Sequence, residues 1–238
     1  MASSKRELVS TLKVLSAGAV KRGVSKVAAE FGHATGMRVN VEFDTAPELR
    51  KRVAAGETAD VFVVPPAAMD EFQKQGKIVP DSRGFVGRSR MGVVVHASAA
   101  MPDLGDTAAF KQALLAASAV VYNKASSGLY AAKLLEKLGL DKALGSRIVI
   151  VDTGAAIMEY VAAHPPAAVG LAQISEVMVM IAKGCAVKLA APLPDAIQNV
   201  TRYDAAATTG APAAARNLAR HLASDTAKAI FAATGISY

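Results

Sequence analysis

Along this chain, short apolar runs alternate with segments whose apolar residues recur every three to four positions. Leu12-Lys13-Val14-Leu15 predicts a first strand, leading into Ser16-Ala17-Gly18-Ala19. A helix follows with Val20, Val24, Val27, Ala28 and Phe31 on one face, and Gly36 is its stop. Met37 to Phe43 alternates as a strand does. Thr45-Ala46-Pro47-Glu48 fits a capping box, with proline tolerated in the first turn and Gly56 at the far end. Val61 to Val64 is a buried-strand run stopped by Pro65-Pro66, and Ala67 to Gly76 a short helix.

The same alternation continues. Strands are predicted at Met91–Val95, Ala119–Tyr122, Ile148–Val151 and Val169–Ala172. Helices are predicted at Ala108–Ala117, after the loop Asn123–Gly128, after Asp152-Thr153-Gly154, at Ser175–Lys183, and as a surface helix at Ser224–Thr234. Strands alternating with helices imply βα units and mainly parallel sheets. There is no internal repeat and no Pro/Gly linker, so two lobes would have to be joined through ordered strands.

Composition narrows the function. At 238 residues the chain can bury one large core or two of about 100 residues each. Aromatics are 5% and Trp is absent, which disfavours stacking platforms for sugars or single-stranded nucleic acid. The formal charge is +7, but the basic residues are scattered and no nucleic-acid module accompanies them. The densest runs, Lys21-Arg22 and Arg50-Lys51-Arg52, read as solvated helix faces, and the net positive field favours anionic ligands. The lone Cys185 allows no intrachain disulfide and reads as a small core residue. The four histidines lack metal-ligand spacing, so no metal or other cofactor is expected. No apolar run is long enough for membrane insertion. No apolar leader follows the opening charges, so the compartment is periplasmic if a leader was removed and cytoplasmic if Met1 is native.

Candidate chemistry sits where strands hand over to helices. Ser16, Gly18 and Ala19; Thr45 and Ala46; Ser126 and Ser127; and Gly154 are small or hydroxyl residues at such junctions. In open α/β sheets, ligands bind beyond the carboxyl ends of strands. Helix N-termini there present unpaired N–H groups, and small residues let the backbone approach an anion. Each Ser or Thr taken alone reads first as an ordinary cap, Thr45 most of all, and it is their joint occurrence that points to a site.

The stretches "LKVLSAGAVKRGVSKVAAEFGHATG", "FDTAPELRKRVAAGETADVFVV", "SSGLYAAKLLEKLGL", "GAAIMEYVAAHPPAAVGLA" and "ASDTAKAIFAATGI" resemble the bacterial extracellular solute-binding family that includes molybdate-binding proteins. The resemblance implies a two-lobed type II periplasmic-binding-protein fold with mixed, mainly parallel sheets and a ligand cleft between lobes. Lobe one would span residues 10–85 plus 203–238 and lobe two 92–195, with crossovers near 86–91 and 199–203. It implies capture of a small anion for an ABC importer, with the permease as partner. The junctions depart from the molybdate pattern: Gly18 or Ala19 replaces a serine, Thr45-Ala46-Pro47 replaces a serine-rich turn, and Gln173 stands where a tyrosine is placed. A small organic carboxylate is therefore favoured over molybdate, with Arg88, Asn123 and Lys124 as extra donors. The alternative is an isomerase of a small unsaturated carboxylate such as aconitate. Its base would come from Asp44, Asp152 or Glu159, because Glu48 is engaged in the capping box; no catalytic assignment follows from the residues.

Overall fold

The structure is a computed structural model that describes residues 10–238. The chain divides into two compact units. One comprises residues up to Arg88 with Arg202–Ala233 and Tyr238; the other comprises Ser89–Thr201 with Thr234–Ser237.

The first unit opens with β1 (Thr11–Ala17), α1 (Lys21–Thr35), β2 (Arg38–Asp44), α2 (Ala46–Ala54), β3 (Val61–Val64) and α3 (Pro66–Lys74). Strand β4 (Gly84–His96) then carries the chain across the boundary into the second unit. That unit holds α4 (Thr107–Ala116), β5 (Ala119–Asn123), α5 (Ser126–Lys137), α6 (Leu140–Leu144), β6 (Ile148–Val151), α7 (Gly154–Ala163), β7 (Ala168–Gln173), α8 (Ile174–Ala182) and β8 (Val187–Pro192). Strand β9 (Val200–Ala207) leads back, followed by α9 (Ala213–Leu222), α10 (Asp225–Ala232) and the short β10 (Ile236–Ser237).

In the first unit, β1 pairs in parallel with β2 on one side and β3 on the other, and β9 closes β3 antiparallel, Val64 opposite Asp204. One face is covered by α2 and α3, whose Leu49, Val53, Met69 and Phe72 pack with Leu15 and Phe62. The Phe62 and Phe72 rings lie 4.7 Å apart. Burying each such side chain contributes roughly 1.5–3 kcal/mol. Helix α1 packs against α9 and α10. Its Gly23 lies beneath the Phe231 ring, where a Cβ would come within 2.1 Å. The expected surface helix at 224–234 is thus a docked one: Ala227 and Phe231 are fully buried and Ser224 caps it. Helix α9 was not among the predicted elements. Its buried stripe Ala215, Leu218, Ala219 and Leu222 has regular helical spacing.

The second unit places β5 between β6 and β7, both parallel to it, with β7 and β8 flanking β4 antiparallel. Its two faces differ. Phe110, Leu114, Leu134 and Leu135 of α4 and α5 fill one core; Ile157, Met158, Val161 and Val177 of α7 and α8 fill the other. Strand β4 is far longer than the predicted Met91–Val95, because Arg88 and Arg90 interrupt its apolar pattern while the backbone continues through them. Cys185 is half-buried, and burial pushes its thiol up.

Candidate functional site

The register of each sheet decides which helix starts lie together. In the first unit, Ala17 pairs with Asp44 at the carboxyl ends of β1 and β2. Gly18-Ala19 and Thr45-Ala46 follow directly, so these expected site residues emerge side by side; a Cβ on Gly18 would sit 3.9 Å from the Asp44 carbonyl. Gly18 is exposed and Ala19 half-buried in a 3-10 turn that precedes α1. Ser16 is fully buried inside β1, and its hydroxyl donates to the Ala17 carbonyl at 3.2 Å. It supports the turn from below rather than standing at its mouth.

Thr45 caps α2 by accepting from the Glu48 N–H at 3.4 Å. The reciprocal half of the expected capping box is not formed. The Thr45 N–H donates to Asp44 Oδ1 at 2.8 Å, and the Glu48 carboxylate pairs with Lys51 at 2.5 Å. The basic run is locally neutralised in the same way. Arg50 meets Glu71, and Arg52 is ringed by Glu42, Glu57 and Asp44.

In the second unit, Asn123 pairs with Val151, and β7 runs in register beside β5 with Val121 opposite Gly170. The carboxyl ends of β6, β5 and β7 therefore align, and α7, α5 and α8 all start at that edge. This brings together Asn123, Lys124, Ser126, Ser127, Gly154 and Gln173. Each sits in its own set of contacts. Asn123 is buried, and its Oδ1 accepts from the N–H of Ala125 at 3.1 Å and of Gly128 at 3.2 Å. It caps α5 from outside the helix, because the N-cap residue Ala125 has no side-chain acceptor. The Ser127 hydroxyl donates to the same Oδ1 over a long 3.4 Å. Ser126 is exposed at the first helical position. Lys124 is not a free donor: its ammonium pairs with Asp152 at 2.7 Å, which lowers the Asp152 pKa. Gln173 is buried and its Oε1 accepts from the Ser89 hydroxyl. Arg88 lies with its guanidinium 5.0 Å over the Phe85 ring.

Gly154 is buried at the first position of α7, whose cap is Thr153 accepting from the Ala156 N–H at 3.1 Å. A Cβ there would strike Glu176 Oε2 at 2.1 Å. Glu176, in the first turn of α8, is absent from the sequence expectations. In the structure its Oε2 is buried without a hydrogen-bond partner, and burial alone pushes its carboxyl up. The acids named beforehand are engaged or exposed: Asp44 with Thr45, Asp152 with Lys124, and Glu159 on the outer face of α7. Tyr130, within the most specific family-like stretch, is structural, donating to the Ile197 carbonyl at 3.0 Å. Among the described residues no group of three or more His, Cys, Asp or Glu is placed to hold a metal, and no helix is long and apolar enough to cross a membrane.

Comparison with known proteins agrees with this architecture. The chain is 32% identical over 231 residues, 93% of its length, to an aconitate isomerase of a Pseudomonas species, of which the match covers 86%. Its fold superposes with a TM-score of 0.78 on the substrate-binding domain attributed to a molybdenum ABC transporter of Clostridium difficile, at 16% identity, covering 96% of this chain and 99% of the other. The periplasmic molybdate-binding protein of Azotobacter vinelandii gives a TM-score of 0.69 at 21% identity, covering 95% and 99%. These neighbours share the type II periplasmic-binding-protein fold with this chain. The model of the bacterial extracellular solute-binding protein family matches residues 12–237, and the chain belongs to that family.

Proposed function

We propose that this chain captures a small anion, an oxyanion or a small organic carboxylate, at its helix starts. The observation that carries the reading is the alignment of the α5, α7 and α8 N-termini at one sheet edge of the second unit, matched in the first unit by Gly18-Ala19 and Thr45-Ala46. Oriented N–H groups and helix dipoles favour negative charge without a mobile cation. That suits a site in which Lys124 and the Arg50-Lys51-Arg52 run are already paired with carboxylates. Delivery to an ABC permease is the accompanying role. A thermal-shift screen with molybdate, sulfate, cis- and trans-aconitate and citrate tests it. A ligand present at 100 times its dissociation constant adds about 2.7 kcal/mol. No shift with any of them would refute anion capture.

A second reading is favoured by the 32%-identical aconitate isomerase together with Glu176, whose Oε2 is buried without a hydrogen-bond partner. An isomerase of a small unsaturated carboxylate needs a group that takes and returns a proton, and a carboxyl that burial pushes up from its ordinary value is a candidate for that. Incubation with cis- or trans-aconitate, followed by NMR, separates the two. Interconversion above the buffer rate assigns an enzyme; binding without turnover assigns a binding protein.

A further inference from the structure

We propose that Arg202 receives a carboxylate of the ligand on the Nη edge of its guanidinium, so that this protein selects organic anions with at least two carboxylates over single-centre oxyanions. This rests on the reading that the helix starts of the first unit take one anionic group; Arg202 takes the other.

Arg202 belongs to the first unit, near the start of β9. The sheet register sets its level. Ser16 pairs with Val63, so Ala17 lies beside Val64, and Val64 pairs with Asp204. Because β9 runs antiparallel to β3, Arg202 stands two residues beyond that row. That is the carboxyl edge from which Gly18-Ala19 and Thr45-Ala46 emerge.

The side chain is held on one edge and one face. Its Nε donates to Oδ1 of Asp204 at 2.8 Å. Asp204 is only 1% exposed and is itself fixed by Arg83, which donates to Oδ2 from Nε at 2.9 Å and from Nη2 at 2.8 Å. Arg83 alone therefore meets the buried carboxylate with two nitrogens, and Arg202 is not needed to satisfy it. The Arg202 guanidinium lies 4.7 Å over the Phe85 ring, which Tyr238 meets edge-on at 6.0 Å. Arg88 lies over the same ring and adds to the positive charge there. Half of the Arg202 side chain is nonetheless exposed, and its two Nη groups have no hydrogen-bond partner among the described residues. A guanidinium fixed in this way has little rotamer freedom left to lose, and its open edge matches the two oxygens of a carboxylate.

Spacing selects the ligand. Strand β9 is two places from β1 in the sheet, roughly 10 Å at about 4.8 Å per strand. Phe85 is on β4, on the other side of β9, so stacking carries the guanidinium away from β1 rather than toward it. Hydrogen bonds of about 3 Å at each end leave roughly 4 Å or more between the acceptor atoms. Molybdate and sulfate carry all their oxygens on one atom and reach one end only. Carboxylates joined by a short carbon chain reach both.

Calorimetry of trans-aconitate, citrate, succinate and molybdate with the full chain tests this. Wild type is expected to bind at least one of the carboxylates more tightly than molybdate. Arg202→Gln is expected to weaken that carboxylate about tenfold to a hundredfold, and to lower the carboxylate-to-molybdate affinity ratio by a similar factor. Arg202→Lys keeps the charge without the fork and is expected to recover little of the loss. Should neither variant fold, Phe85→Leu leaves every charge in place and is expected to cost the carboxylate alone about two- to fivefold. Unchanged carboxylate affinity in R202Q, equal losses for carboxylate and molybdate, full recovery with lysine, or a wild type that prefers molybdate to every carboxylate overturns the proposal and leaves anion capture intact. A wild type that binds none of the probes overturns anion capture itself.

Discussion

Replacing Gly128 by alanine sets two effects of opposite sign against each other. Gly128 is the third residue of α5, and alanine is favoured over glycine in a helix by about 1 kcal/mol. Judged by propensity alone, Gly128→Ala stabilises. Packing argues the reverse. The added Cβ would lie 1.5 Å from the Asn123 carbonyl oxygen and 2.5 Å from its carbon, both backbone atoms that end β5 and cannot rotate away. The first turn of α5 must lift off the strand end, an overpacking cost of about 1–3 kcal/mol. Lifting it also breaks the bonds from Ala125 and Gly128 to the buried Asn123 Oδ1, each contributing about 0.5–1.5 kcal/mol. The loss exceeds the propensity gain, and a net destabilisation of about 1–5 kcal/mol is expected. Urea unfolding followed by far-UV circular dichroism measures it. Asn123→Ala, which removes the acceptor but adds no clash, should lose only the hydrogen-bond share. A Gly128→Ala protein as stable as wild type would show that α5 does not rest on the Asn123 carbonyl, and the placement of its N-terminus would be wrong.

Three further outcomes are expected. Gly154→Ala meets only the far end of a flexible side chain, so it should fold with about 1 kcal/mol or less of lost stability, while the displaced Glu176 carboxyl, followed by NMR, titrates lower than in wild type. Ser127→Ala should weaken anion binding about tenfold to a hundredfold, the value of a hydrogen bond to a charged group, because the hydroxyl gives up its long 3.4 Å bond to Asn123 Oδ1 to donate to the anion; unchanged calorimetric affinity would remove it from the site. Arg52, then Lys13, hold the Glu57 carboxyl down at about 2 against an ordinary 4.5. A depressed carboxylate contributes stability that is present above pH 4.5 and lost as pH falls toward 2; Arg52→Met should flatten the fall in melting temperature across that window, and an unaltered slope would show the ion-pair network to be inert.

The local elements were legible where a physical signal is confined to a few neighbouring residues. Val61–Val64 ends at two prolines, Gly36 takes the left-handed conformation that stops α1, and Thr45 caps α2. Junction residues were also identifiable, because small and hydroxyl side chains mark strand-to-helix turns. Their roles were less so, since those depend on partners from elsewhere in the chain. Lys124 looked free until β6 brought Asp152 beside it, 28 residues on. Asn123 reads from the sequence as a ligand donor, and nothing local shows that its oxygen also caps α5. Glu176 gave no sequence signal at all. What distinguishes it is the absence of a partner, produced only when α7 and α8 pack on one face of the sheet.

The antiparallel closure of β3 by β9 has a consequence for biosynthesis. Val64 and its partner Asp204 are 140 residues apart in the chain. At roughly 5–20 residues per second, a ribosome takes roughly 7 to 28 s to supply the missing strand. Throughout that interval Val61-Phe62-Val63-Val64 has one bare edge, an apolar row of unpaired N–H and C=O groups of the kind that recruits foreign strands. In the second unit, β5, β6 and β7 lie close together in the chain and meet their partners sooner. The strand returning at residue 200 completes a pairing with strands begun at residue 11.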